Sequence, residues 1–103
     1  MKLYLVKDDE RLVWVAALAH EHMYSYVANT GKFHDNNALR NDFYMERAFT
    51  YEPIGPADAR RLIRQGVGTL DEDDHSDSLT DWRADPKPLD PTDVLSIAAG
   101  YTE

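Results

Sequence analysis

Four histidines, a run of carboxylates and three clustered arginines are the side chains of this 103-residue chain that could do chemistry. His20 and His22 are two residues apart, so on a strand they would project from one face as a pair of metal ligands, and His34-Asp35 could add to them. Arg60, Arg61 and Arg64 could hold a phosphate or a carboxylate through their forked N–H groups. Together these residues would make a small metal- or phosphate-ligand-binding domain or enzyme. Nothing in their spacing brings them to one point, however, and surface histidines beside a solvated arginine face account for the same residues.

Other constellations fail on a named position. Asp71, Asp73, His75 and Asp77 occupy alternate positions as calcium ligands do in a helix–loop–helix site. The sixth position is Ser76 where that loop needs glycine, and the twelfth is Trp82 where it needs a bidentate glutamate. Gly66-Val67-Gly68 follows a helical pattern rather than a strand, so it is neither a dinucleotide fingerprint nor a phosphate loop. The chain has no Gly-x-Ser-x-Gly and no cysteine, which excludes a thiolate nucleophile, a disulfide and a zinc–thiolate site. The residues therefore assign no catalytic group, metal ligand or cofactor, and a binding protein is expected rather than an enzyme.

Charge is the more informative feature. Through Leu70 nine acids face nine bases, whereas from Asp71 onward ten acids face only Arg83 and Lys87, so the net charge of −8 belongs to the last third. Such segregation points to an interaction surface. Trp82 sits amid these acids with Leu79 and Leu89 nearby, the composition of a binding segment with an aromatic anchor. The residues expected to meet a partner are Asp71, Glu72, Asp73, Asp74, Asp77, Asp81, Trp82 and Asp85, and the partner is a protein with a basic surface. Tyr24 and Tyr26 offer a second, aromatic face, which suits a core edge equally well. The Arg60, Arg61 and Arg64 face could instead receive the acidic segment of the same chain.

Whole-duplex mimicry is not expected. Duplex DNA carries a charge every 1.7 Å or so, while the five acids from Asp71 to Asp77, extended, carry one per roughly 5 Å. An acidic chain without a dominant basic patch is equally unsuited to bind duplex nucleic acid or an anionic membrane. The longest apolar run, Leu12 to Ala19, falls far short of the roughly 20 residues that span a bilayer. Acids in place of a basic leader argue that it is a strand rather than a signal segment. The cytoplasm is the expected compartment, and the expected role is that of an inhibitor, antitoxin-like or phage-type regulator, or else a structural subunit of an assembly.

The elements that must position these residues read as α+β. Lys2–Val6 and Leu12–Leu18 make an N-terminal hairpin, and the second strand is apolar on both faces, as a central strand covered twice would be. His20–Ala28 reads as a third strand, giving a three-stranded meander. It is followed by a turn at Asn29-Thr30-Gly31-Lys32 and a short return strand at Phe33-His34. Asp35 or Asn36 can cap a helix over 37–47 with Leu39 and Phe43 inward, and 49–54 is extended. Pro56 and Gly66 bracket a helix with Ala59, Leu62 and Ile63 on one side. The expected domain plan is a neutral body at 1–69, an acidic Pro-containing linker or wrapping segment at 70–89, and a short helix at 90–103. That last helix, capped by Asp90, carries Val94, Ile97, Ala98 and Tyr101 on one side.

Overall fold

The computed structural model describes residues 1–100, so Tyr101 and the end of the expected last helix lie outside the described residues. The chain is α+β, with one five-stranded antiparallel sheet and four helices among the described residues. The strands are β1 (Lys2–Asp8), β2 (Arg11–Ala19), β3 (His22–Val27), β4 (Lys32–Asp35) and β5 (Thr50–Ile54), in the spatial order β4-β3-β2-β1-β5. The helices are α1 (Asn37–Asn41), continued by a π-helical turn at Asp42–Glu46, α2 (Pro56–Arg64), α3 (Ser76–Arg83) and α4 (Pro91–Ala98). The expected hairpin and meander are thus the middle of a wider sheet, because β5 returns to pair with β1 on its outer side.

Strand alternation sorts the apolar residues onto two faces, and each face has its own cover. On one, Leu3, Leu5, Val15, Ala17, Tyr26 and Phe33 pack against Ala59 and Leu62 of α2 and Val94 and Leu95 of α4. On the other, Val6, Trp14, Ala16, Met23 and Val27 meet Leu39 of α1, Phe43 of the π turn, and Leu79 and Trp82 of α3. The sheet therefore lies between two helical layers. The acidic third of the chain contributes one helix to each layer, and the Cα radius of gyration, 12.8 Å, is that of a folded globule of about this length.

Residues 70–89, expected as a linker or wrapping segment, pack on the sheet and run on to bridge β4 through Leu89. They hold α3, which the sequence pattern does not reveal because Leu79 and Trp82 are the only large apolar residues in Ser76–Arg83. Serine, threonine and aspartate are weak helix formers, so the helix depends on docking. Leu79 is fully buried, and a Leu79→Ala variant is expected to lose roughly 2–5 kcal/mol of stability, seen as a lower urea midpoint.

The turns are exacting. His20 and Glu21 both take positive φ, 51° and 67°, and form the two-residue connection of β2 to β3 in the handedness that a tight hairpin requires. This removes His20 from the strand row in which the sequence placed it. A register shift between Val6 and Lys7 makes Val13 a bulge, so Leu12 leaves the face of Trp14 and is left largely exposed. Asn36 caps α1, its side chain accepting the Leu39 N–H at 3.0 Å. The π turn ends at Arg47, and the Asp42 carboxylate behind it accepts from Ala48 N, Phe49 N and the Tyr51 hydroxyl. Gly68 has a φ of +95° and abuts the Tyr26 carbonyl, where a Cβ would collide. Gly68→Ala is expected to cost about 1–3 kcal/mol, measured by thermal unfolding.

Candidate functional site

Two structures compete for functional meaning, and both are built from the acidic third. The first is a ridge of carboxylates along α3 and the turn that precedes it. Asp71 starts it as a turn cap, its Oδ1 accepting from Asp73 N and Asp74 N. Because Leu79 and Trp82 face the sheet, Asp77 and Asp81, one turn apart, face solvent. Asp73, Asp74, Asp77 and Asp81 are all exposed, and none has an ion-pair partner among the described residues. Glu72 differs. Hydrogen bonds from Arg83 and from Asn29 hold its carboxyl below the usual range.

The second is a clasp that ties this ridge to the sheet edge. His34 on β4 is buried, with Nδ1 2.9 Å from Asp85 Oδ2 and Nε2 2.7 Å from Thr30 Oγ1. The Trp82 ring stacks on it at 6.0 Å between centroids and meets Trp14 edge-on at 5.9 Å. Beyond Asp85 the chain runs as a strap along β4. Phe33 and Leu89 exchange backbone bonds of 2.9 and 2.8 Å, and Lys32 Nζ reaches Asp90 Oδ2 at 3.0 Å. Pro86 and Pro88 carry no N–H, so the strap covers the edge without extending the ladder. At the start of the acidic third the Asn29 amide grips Leu70 from both sides, donating to its carbonyl and accepting its N–H.

Carboxylate, imidazole and hydroxyl in line resemble a nucleophile relay. The Thr30 hydroxyl, however, also lies 3.1 Å from the Val27 carbonyl and accepts from Lys32 N, as a structural turn residue does. Three surface clefts of the described residues are lined without Thr30, His34 or Asp85. The arrangement is suited to holding chain segments together.

The remaining nominated residues are not brought to a site. The three histidines considered as ligands separate: His20 is in the turn, His22 pairs with Asp35 at 3.3 Å, and His34 is buried on the other face of the sheet. No group of three or more His, Cys, Asp or Glu among the described residues could hold a metal ion. Tyr26 is buried against Phe33 and Tyr24 is half-buried on the same cluster, so the aromatic row serves the core. Arg60, Arg61 and Arg64 are exposed on α2, Arg61 bonded to Asp58, on the opposite side of the sheet from α3. The acidic segment therefore docks within its own chain, but on the sheet and not on the arginines. Trp82 and Asp85, expected to meet a partner, are engaged internally. Thr30, Asn29 and Lys32 were not singled out by the sequence; their only signal is the turn they share. No helix among the described residues is long and apolar enough to cross a membrane.

Comparison of the chain with protein families, with curated proteins and with solved structures finds no match.

Several carboxylates of these contacts are held below their ordinary range. Burial works against ionisation of Asp42 and Asp85, but at Asp42 the Tyr51 hydroxyl, two backbone N–H groups and Arg47 outweigh it. At Asp85 His34 and the Lys87 N–H do so. At Asp90 the Lys32 ammonium leads. A depressed carboxylate contributes stability that is present above its unfolded value and is lost as pH falls through the folded one. The steep loss of stability is thus expected below the usual carboxylate range, near pH 4 and lower, and a Asp42→Asn, Asp85→Asn double variant should flatten it in urea unfolding recorded against pH.

Proposed function

We propose that the chain is a small protein-interaction module whose α3 ridge binds a basic surface on a partner protein. The observation that supports this is a set of four outward carboxylates, Asp77 and Asp81 on α3, which Leu79 and Trp82 pin from behind, and Asp73 and Asp74 in the turn leading into it, left without counter-charges among the described residues. An anchored helix presents its charges with little ordering cost on binding, and an uncompensated cluster raises the association rate with a cationic surface. Along α3 Asp77 and Asp81 are separated by about 6 Å of helix rise, a spacing suited to lysine and arginine side chains and much sparser than the phosphates of a duplex. A regulator or inhibitor that blocks a basic site on another protein fits this reading, and a cytoplasmic setting is the compartment proposed for it.

Cutting the chain at Leu70 would not test this, since Leu79, Val94 and Leu95 would leave the core with it. The discriminating variant is Asp73→Asn, Asp74→Asn, Asp77→Asn, Asp81→Asn, in which every changed side chain is solvent-exposed. Its melting temperature should match that of the parent. A partner captured from native lysate by the parent chain should be lost by the variant, and its affinity for the purified parent should fall steeply with salt. Equal binding by both chains would reject the reading.

A further inference from the structure

A cleft of about 410 Å³ opens beside the start of the acidic ridge. It lies between the two parts of the helical cover on the Trp14 face. Phe49, which follows the π turn, forms one wall, and Leu70, Asp71 and His75, which lead into α3, form another. The first residues of β2 complete the lining. We infer that this cleft takes a large apolar side chain from the same partner segment whose lysines and arginines meet the ridge; this rests on the ridge being the binding surface and says which kind of basic segment it binds.

The fold builds the cleft in advance. The bulge puts Val13 beside Trp14 on the covered face and turns Leu12 to the lip, where it is 41% exposed. Trp14 is 8% exposed and held by its edge-on contact with Trp82, and Phe49 and Leu70 are half-buried against the same cluster. Leu70 is gripped by the Asn29 amide, and the turn after it is fixed by the Asp71 cap. A large apolar side chain held out at the mouth of a preformed apolar recess suits an anchor residue, whose burial supplies much of the energy of a protein contact. The volume is near the lower end for ligand sites, roughly 300–1,000 Å³, and gives room for one large side chain.

Charge selects the segment that carries the anchor. Asp71 lines the cleft, Asp73 and Asp74 lie between it and His75, and Asp77 follows two residues later. The cation on the rim, Arg11, leans to Asp8 at 3.5 Å, which leaves the field at the mouth negative. A cationic segment with an apolar anchor satisfies both features together: its charges meet the ridge while its anchor leaves water. The other clefts lack this pairing. That between Leu3 and Ile54 is lined by no acid, and that beside Asp35 and Asp81 has Trp82 as its only apolar lining.

The test titrates the full chain at low salt with three end-blocked peptides, Lys-Lys-Phe-Lys-Lys, Lys-Lys-Ala-Lys-Lys and Ser-Ser-Phe-Ser-Ser, followed by NMR shifts. The first should bind roughly ten- to a hundredfold more tightly than the second, moving the signals of Leu12, Val13 and the Trp14 indole while Leu3 and Ile54 stay in place. The uncharged third should bind far more weakly than the first. Leu12→Ser, at an exposed position, should keep the melting temperature of the parent and reduce the preference for phenylalanine over alanine severalfold. The Asp73→Asn, Asp74→Asn, Asp77→Asn, Asp81→Asn variant should weaken both cationic peptides alike and keep that preference. Equal binding of the two cationic peptides, shifts that avoid the cleft, or an unchanged preference in Leu12→Ser overturns the anchor site. Binding of the uncharged peptide as tight as that of the first makes the cleft a site for neutral apolar ligands and overturns it as well. Ridge binding fails on a different result, cationic peptides that bind the asparagine variant as they bind the parent.

Discussion

A sheet that is apolar on both faces must be covered on both faces. Val15 and Ala17 point one way from β2, Trp14 and Ala16 the other, and all four are buried. Residues before Leu70 supply one helical cover to each side, α2 on one and α1 with its π turn on the other. The rest of each cover comes from the anionic third, as α4 and α3. The segment that holds the excess charge is therefore part of the core, and the burial of Leu79, Val94 and Leu95 offsets the cost of bringing so many carboxylates onto one compact body.

That requirement also explains how the charges are arranged. A helix of eight residues with two apolar side chains can dock only one way, which commits the intervening aspartates to solvent. Other acids of this region meet defined partners: Asp85 meets the buried His34, Asp90 meets Lys32, and the exposed Glu72 meets Arg83 and Asn29. No buried side-chain polar atom among the described residues lacks a hydrogen bond, as a well-specified interior requires. The two sheet edges are protected by different means. β4 lies under the strap with its prolines, and β5 carries Pro53 and the Lys7–Glu52 pair.

Much of the local structure is legible in the sequence. The hairpin, the central position of β2, the cap at Asp90, a cap at Asp35 or Asn36 that the structure assigns to Asn36, and the helix begun by Pro56 each follow from a short-range rule that the sequence meets directly. The misreadings share one cause. α3 was hidden because its residues have little intrinsic preference for helix and its stability comes from Trp14, Met23 and Val27, more than fifty residues away. The His20–Glu21 turn was hidden because positive φ there is imposed by the hairpin and not chosen by glycine or asparagine. The arginine face looked like the natural receptor for the acids because opposite charges attract, but the burial of Leu79 and Trp82 outweighs screened attraction between exposed groups.

By itself the sequence determined the α+β class, the absence of cysteine chemistry, and the concentration of negative charge beyond Leu70, since these depend on composition and on neighbours a few residues apart. Only the tertiary structure decided which of those charges remain free. It separated the three histidines, drew Trp82 and Asp85 inward, and left Asp73, Asp74, Asp77 and Asp81 outward. The physical reason is that a side chain's partners come from the long-range packing of two helical layers on one sheet, and no local pattern encodes that packing.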